Sequence, residues 1–276
     1  MKILITGGKG QLGLDLKKLL DKEHEVYAWD IDELDITQGE EVINKIAGLN
    51  PEIIIHAAAY TDVDGCEENM NLAYQVNAYG TRNVAVACQE CNARLVYIST
   101  DFVFDGTKDK PYIEFDQANP LNIYGESKLA GEEFVKNLLN RYYIVRTAWL
   151  YGEDGNNFIK TMLELAKKKE SLDVVNDQVG SPTYTRDLSQ AIQELITTDL
   201  YGIYHVSNSG ESSWYQFARK IFEYTETEIE VNPVTSQEFT RLATRPKYSV
   251  MQNYSLEQGL DYKMRNWEEA LKDYLN

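Results

Sequence analysis

Short apolar runs alternate with amphipathic segments through the first half of the chain. Lys2-Ile3-Leu4-Ile5-Thr6 reads as a buried strand that ends in glycines. Leu12, Leu16, Leu19 and Leu20 then fall at helical spacing. Glu25 to Trp29 is a second strand. Residues 40–47 form a helix that Asn50-Pro51 stops, and Ile53 to Ala57 is a third strand. A long helical stretch over 71–91, a strand over 95–99, a helix over 127–139 and a strand over 143–149 complete the half. Strands separated by helices of roughly 10–15 residues predict a parallel sheet covered on both faces. After Tyr151-Gly152 the pattern loosens. Helices are predicted over 157–169, 186–197 and 213–224, and a short strand over 172–175 ends at Gly180-Ser181-Pro182. A strand over 202–206 is placed to rejoin the main sheet. Trp214 and Phe217, three apart, read as core of the annex. From Val231 onward, Pro233 and Pro246 predict a loop-rich tail.

The first turn carries chemistry. Thr6-Gly7-Gly8-Lys9-Gly10-Gln11-Leu12-Gly13 places glycines at 7, 10 and 13 between a strand and a helix. Glycine permits the positive φ of a tight turn, and a backbone without Cβ lets a pyrophosphate approach. The following helix start supplies free N–H groups and partial positive charge. Gly13 allows the helix to pack closely on the sheet. Asp30, at the end of the second strand, is placed to accept hydrogen bonds from an adenosine ribose. Its charge opposes a 2′-phosphate and so favours NADH over NADPH, while Asp35 and Ile36 border the adenine. The fold class expected is α/β: a Rossmann-type doubly wound parallel sheet with a smaller C-terminal substrate domain.

Tyr124-Gly125-Glu126-Ser127-Lys128 sets Tyr and Lys four apart, on one face of a helix. A phenol is a poor acid at neutral pH, and a neighbouring ammonium favours its phenolate and lowers its pKa. Tyr124 is then a candidate general acid for a carbonyl oxygen, and Lys128 a donor to the cofactor ribose. Ser99-Thr100-Asp101 ends the fourth strand, where side chains face the ligand crevice. Either hydroxyl, Ser99 or Thr100, can polarise a substrate carbonyl, and strand alternation does not decide between them.

The phosphate loop, Ala57-Ala58-Ala59-Tyr60-Thr61, Tyr97-Ile98-Ser99-Thr100-Asp101, Tyr124 to Glu132, Arg146-Thr147-Ala148-Trp149, Gly155-Asn156-Asn157-Phe158, Asn176 to Thr183, Ser213-Trp214-Tyr215 and Arg245-Pro246 together resemble the dTDP-4-dehydrorhamnose reductase family, within the extended short-chain dehydrogenase/reductases. The likeness runs from residue 1 to about 250. It implies that Thr100, Tyr124 and Lys128 are catalytic. It implies that Asp101 and Trp149 contact the sugar, and that Gly10, Gln11, Leu12, Asp30, Ala57, Ala58, Ala59, Tyr60 and Thr61 line the cofactor. It implies reduction of a C4 ketone in a dTDP-sugar with NADH or NADPH. Residues 1–150 plus 183–206 are then the dinucleotide-binding domain, and 151–182 plus 207–276 the sugar-nucleotide-binding domain. Two other readings are another nucleotide-sugar 4-ketoreductase and a non-catalytic regulatory homologue; the presence of Thr100, Tyr124 and Lys128 disfavours the second. Where the family often has Asn, this chain has His56, read as a satisfied strand-end side chain. Where the family usually has Ser, it has Ala148. Asp15 and Asp187 are the candidates for a metal that some members bind, but Arg186 beside Asp187 opposes a cation, so no metal is expected.

Composition narrows the partners. With 27 basic against 44 acidic residues, the net charge is −17 over 276 residues. That charge repels phosphate backbones and anionic membranes, so neither nucleic acid nor membrane is expected as a partner. Three cysteines are too few for a disulfide scaffold. Cys88-Gln89-Glu90-Cys91 closes a predicted helix rather than opening one, against a redox role. No leader pattern opens the chain, and a cytoplasmic monomer or homodimer is expected. The predicted ligands are nevertheless anionic, so recognition must be local. Arg241, Arg245 and Lys247 are the basic cluster available for the substrate's diphosphate.

Overall fold

The computed structural model describes residues 1–276. The first half is β1 (Lys2–Thr6), α1 (Gln11–Leu20), β2 (Glu25–Trp29), α2 (Gly39–Leu49), β3 (Ile53–His56), α3 (Val63–Glu68), α4 (Met70–Tyr74), α5 (Thr81–Cys91), β4 (Arg94–Thr100), α6 (Ile123–Leu138) and β5 (Tyr142–Thr147). The second half is β6 (Leu150–Tyr151), α7 (Phe158–Ala166), β7 (Ser171–Val175), β8 (Val179–Gly180), β9 (Thr183–Tyr184), α8 (Thr185–Leu195), β10 (Gly202–His205), β11 (Ser212–Ser213), α9 (Trp214–Tyr224), β12 (Glu230–Val234), α10 (Tyr254–Leu260) and α11 (Trp267–Leu275).

Six strands form one parallel sheet in the order β10-β5-β4-β3-β1-β2. The chain winds one way from β1 to β2 and the other way from β3 onward. The switch lies between β1 and β3, and the crevice at their carboxyl ends is where a doubly wound sheet binds ligand. Beyond β2, residues 30–38 run as turns and irregular chain, so β2 is the sheet edge.

Strand alternation divides the core. Ile3 and Ile5 face one side with Leu16 of α1 and Leu188 and Ile192 of α8, while Leu4 faces the other with Val42 and Ile46 of α2 and Val84 of α5. Leu256 and Met264 from the tail join the first of these clusters. A third cluster gathers Tyr151, Ile159, Val174, Phe217, Ile221 and Trp267 around three short two-stranded ribbons.

Three local features depart from the sequence pattern. The stretch expected as one helix over 71–91 is broken by a π-helical turn, Gln75–Gly80. It holds Asn77 inward, where its amide donates to Ser127 Oγ at 3.0 Å and accepts from Tyr60 N–H at 2.8 Å. Helix α6 begins at Ile123, earlier than expected, because the Asn122 side chain caps it by accepting from Gly125 N–H at 2.8 Å. Finally, the tail is not loop-rich throughout. Pro233 lies in β12, which pairs only with β7, and such a two-stranded ribbon tolerates a missing N–H. Asn266 caps α11, and Trp267, Ala270 and Leu271 turn one apolar face inward.

Candidate active site

A cleft of about 890 Å³ opens over the carboxyl ends of the sheet. The β1–α1 loop forms its floor. Gly7 has φ +71°, and a Cβ there would fall 2.7 Å from Ala58 N, so side chains are excluded where the loops after β1 and β3 meet. A Cβ on Gly13 would overlap Gly7 O. Helix α1 has no side-chain cap, which leaves its first N–H groups free for an anion. This cradle and donor set fit a dinucleotide pyrophosphate. Gly7, Gly10, Gln11, Leu12, Gly13, Asp30, Asp35, Ile36, Ala57, Ala58, Ala59 and Thr61 all border the cleft. Tyr60 does not: Asn77 clasps its backbone from both sides, and its ring packs beside Cys66, Ala73 and Ile123. Asp30 Oδ2 accepts from Lys9 N–H at 2.8 Å and Oδ1 from Ile31 N–H at 2.9 Å, which shapes the loop edge. Lys9 also borders the cleft and pairs with Asp32 at 2.7 Å.

Thr100, Tyr124 and Lys128 converge on the same cleft from β4 and α6. Ser99 and Thr100 take different partners. Ser99 Oγ donates to Glu132 Oε1 at 2.6 Å. Thr100 Oγ1 donates to Asp101 Oδ1 at 3.1 Å and accepts from Phe102 N–H at 3.2 Å, leaving Thr100 as the hydroxyl on the Tyr124 side. Burial pushes the Tyr124 phenol well above the usual tyrosine range, Thr100 acts in the opposite direction, and the Asp101 charge raises it further. Lys128 is not among the groups that act on it. The expected lysine-driven lowering of the phenol is therefore not seen. The Lys128 ammonium instead donates to Ile98 O at 2.7 Å and lies 4.2 Å from the Tyr97 ring centroid. Burial lowers Lys128 to about 7, opposed by the charge of Glu132.

The opposite wall is aromatic. Trp149 borders the cleft with φ +48°, a left-handed backbone that is strained for a bulky residue. Its indole stacks on Trp214 with centroids 3.4 Å apart and planes 5° from parallel. Gly180 makes room, since a Cβ there would sit 2.6 Å from Trp149 Cε2. Trp214, expected in the annex core with Phe217, is thus a wall of the cleft, while Phe217 is buried as expected. Its position at the first turn of α9, just after the capping residue Ser213, was the available signal, because such side chains project past the helix end. Asp101 is buried, accepts from Ser249 Oγ at 2.6 Å, and is raised to about 6 by burial, against these hydrogen bonds. Arg245 also borders the cleft, with its guanidinium bonded through both Nη atoms to Asp64 at 3.1 Å. Arg241 approaches the same carboxylate at 3.7 Å.

The remaining polar candidates are structural. His56 is buried, with Thr6 Oγ1 at 2.7 Å from Nδ1 and Thr81 Oγ1 at 3.1 Å from Nε2, and burial lowers it to about 3. Asp187 accepts from Arg265 at 2.8 and 2.7 Å and from Asn208 at 2.7 Å. Thr185 donates to Asp15. Cys66, Cys88 and Cys91 are free thiols.

Comparison with known proteins places this architecture. The family model described as RmlD substrate binding domain matches residues 1–276. The spore coat polysaccharide biosynthesis protein SpsK of Bacillus subtilis is 42% identical over 99% of this chain and 96% of its own. A dTDP-4-dehydrorhamnose reductase of Aggregatibacter actinomycetemcomitans is 41% identical over 99% of this chain and 97% of its own. A crystal structure of the Bacillus anthracis dTDP-4-dehydrorhamnose reductase in complex with NADP superposes with TM-score 0.97 at 51% identity, covering 99% of this chain and 98% of that one. Matched by that model along its whole length, and by a reductase relative at 41% identity over nearly all of it, the chain belongs to the RmlD substrate binding domain family of dTDP-4-dehydrorhamnose reductases.

Proposed function

We propose that this chain reduces the C4 ketone of dTDP-4-dehydro-L-rhamnose to dTDP-L-rhamnose with NADH or NADPH, in nucleotide-sugar supply for surface polysaccharide. The convergence of Thr100, Tyr124 and Lys128 on one cleft with the glycine cradle carries this reading. Gly7, Gly10, Gly13 and the first N–H groups of α1 hold the dinucleotide's pyrophosphate, and Asp30 holds its adenosine ribose. The nicotinamide, when bound, supplies the hydride to the carbonyl carbon. Tyr124 and Thr100 donate hydrogen bonds to the oxygen on which charge develops. Tyr124 then gives up its proton as general acid. A phenol held above its usual range keeps that proton until an oxyanion more basic than it forms. Lys128 orients the ribose.

Asp101 and Trp149 contact the sugar, and Trp214 extends the wall on which it rests. Arg241, Arg245 and Lys247 answer the substrate's diphosphate, with Arg245 held ready by Asp64. Four acids, Asp30, Asp32, Glu33 and Asp35, crowd the adenosine end and outnumber the nearby Lys9 and Lys45, which favours NADH over NADPH. Residues 1–150 plus 183–206 carry the dinucleotide and 151–182 plus 207–276 the sugar nucleotide. No helix is long and apolar enough to cross a membrane, and a cytoplasmic monomer or homodimer suits an enzyme of soluble nucleotide sugars.

The test is oxidation of NADH and NADPH by wild type and Tyr124→Phe with dTDP-4-dehydro-L-rhamnose. The variant is expected to lose about 10²–10⁴ in kcat while binding cofactor normally. Near-wild-type turnover in it would sink the assignment.

A further inference from the structure

Glu132 lies two helical steps of four beyond Tyr124 and one beyond Lys128, so the three form a single stripe along α6. The stripe faces β4. Lys128 Nζ bonds Ile98 O at 2.7 Å, and Glu132 takes the hydroxyl of Ser99 at 2.6 Å. Glu132 is 0% exposed. Its carboxylate also accepts from Arg146 Nε at 2.9 Å and Nη2 at 2.7 Å, a two-point pair buried between α6 and β5. Arg146 follows the register of β5 beside Ser99 of β4, and Phe104 covers its guanidinium at 5.2 Å. One carboxylate therefore ties the helix bearing Tyr124 and Lys128 to the two strands bearing Thr100 and Trp149's approach.

We propose that Glu132 is a positioning residue for the reduction, clamping α6 to β4 and β5 so that Tyr124, Lys128 and Thr100 hold their mutual geometry. The inference rests on the reductase reading above. A buried ion pair is a poor source of net stability, since desolvating both charges offsets their attraction. An apolar pair of equal volume would serve the fold as well, but it would not fix two planar groups at two contact points. The charge has a second consequence. The groups that face Lys128 are Glu132 on its own helix, His56 on β3 and Tyr97 on β4; Arg146 on β5 pairs with Glu132 and stands beside His205 of β10. His56 and His205 are neutral at working pH, both lowered to about 3 by burial. Glu132 is the one anion that supports the Lys128 ammonium.

The experiment uses the full-length protein with Glu132→Gln and Ser99→Ala, the first removing the charge and the second only the strand-side hydroxyl. Glu132→Gln is expected to lower kcat about tenfold with KM and NADPH affinity little changed. It should also move the alkaline fall of kcat to lower pH, because the Lys128 ammonium loses its supporting charge. The same displacement is read without substrate by NMR titration of the labelled Lys128 ammonium. Ser99→Ala, which leaves the ion pair intact and guards against failure of the first variant to fold, is expected to lower kcat by about threefold at unchanged KM. Wild-type kcat in Ser99→Ala, or wild-type kcat and an unmoved Lys128 titration in Glu132→Gln, would overturn the clamp. If wild type itself leaves the sugar nucleotide unreduced, the reductase reading fails instead, and the Lys128 titration alone decides the clamp.

Discussion

Lys128 is the residue whose placement is most at odds with stability. It is buried, its one strong acceptor is a carbonyl, and its pKa falls from the usual lysine range to about 7. A folded pKa below the unfolded one means that the unfolded chain binds the proton more tightly. The penalty is full below about pH 7 and is relieved as pH rises towards the unfolded lysine value, so this group makes the fold more stable with rising pH in that window. Lys128→Met is therefore expected to raise stability by about 1–2 kcal/mol at pH 7, read by thermal or urea unfolding, while abolishing turnover. Destabilisation by that substitution would mean that the ammonium's contacts outweigh its desolvation. At this scale the sequence was informative about types and spacing but silent about direction. The spacing of Tyr124 and Lys128 predicted a shared face and a lowered phenol. Burial, which no spacing encodes, reverses the sign of the second. The choice between Ser99 and Thr100 was equally closed to the sequence, because it depends on Glu132, thirty-three residues beyond Ser99.

Among the elements, the β1–α1 turn was legible because its constraint is local. Glycine is required where φ is positive and where backbones meet, and both requirements fall within one heptapeptide. Gly13→Ala is expected to raise the Kd for NADH at least about tenfold and to lower the unfolding midpoint, since its Cβ would overlap Gly7 O. Unchanged fluorescence titration with NADH would show that α1 can shift without loss. The Trp149–Trp214 stack was not legible as a pair. Its two members are sixty-five residues apart, and Trp214 reads equally well as core. Trp214→Ala is expected to raise KM for the sugar nucleotide about tenfold and leave the NADH Kd within twofold, which steady-state kinetics with each ligand varied in turn will decide. The helices of the tail were hidden for another reason. Pro233 and Pro246 interrupt the pattern locally, and α10 and α11 are short, so packing rather than propensity forms them.

Over the whole molecule, the charge of −17 meets two anionic ligands. Like charges repel at long range, and salt screens that repulsion within about 10 Å at 0.1 M. Association with NADPH is therefore expected to speed up, by about twofold or more, as ionic strength rises from roughly 0.02 to 0.2 M. Stopped-flow fluorescence gives the rate directly. A fall with salt would mean that the local cations and helix dipole dominate at range as well as at contact. Arg245→Ala is expected to weaken the sugar nucleotide more than the cofactor, and equal losses would remove it from substrate recognition. The parallel sheet could be read from the alternation of Lys2 to Trp149. The edge at β2 and the return of β10 beside β5 could be read only in outline, because pairing partners lie far apart in the chain.

That return bears on how the protein is made. The apolar face lined by Ile3, Ile5 and Val145 is covered by Leu188 and Ile192 of α8, by Tyr204 of β10, and last by Leu256 and Met264. A nascent chain that has emerged only to residue 150 holds five of the six strands yet has only α1 to cover that face. At roughly 5–20 residues per second, the wait until Met264 appears is on the order of ten seconds. During synthesis this half therefore exposes apolar surface that the later α8, β10 and tail residues will bury, the kind of surface that holdase chaperones bind.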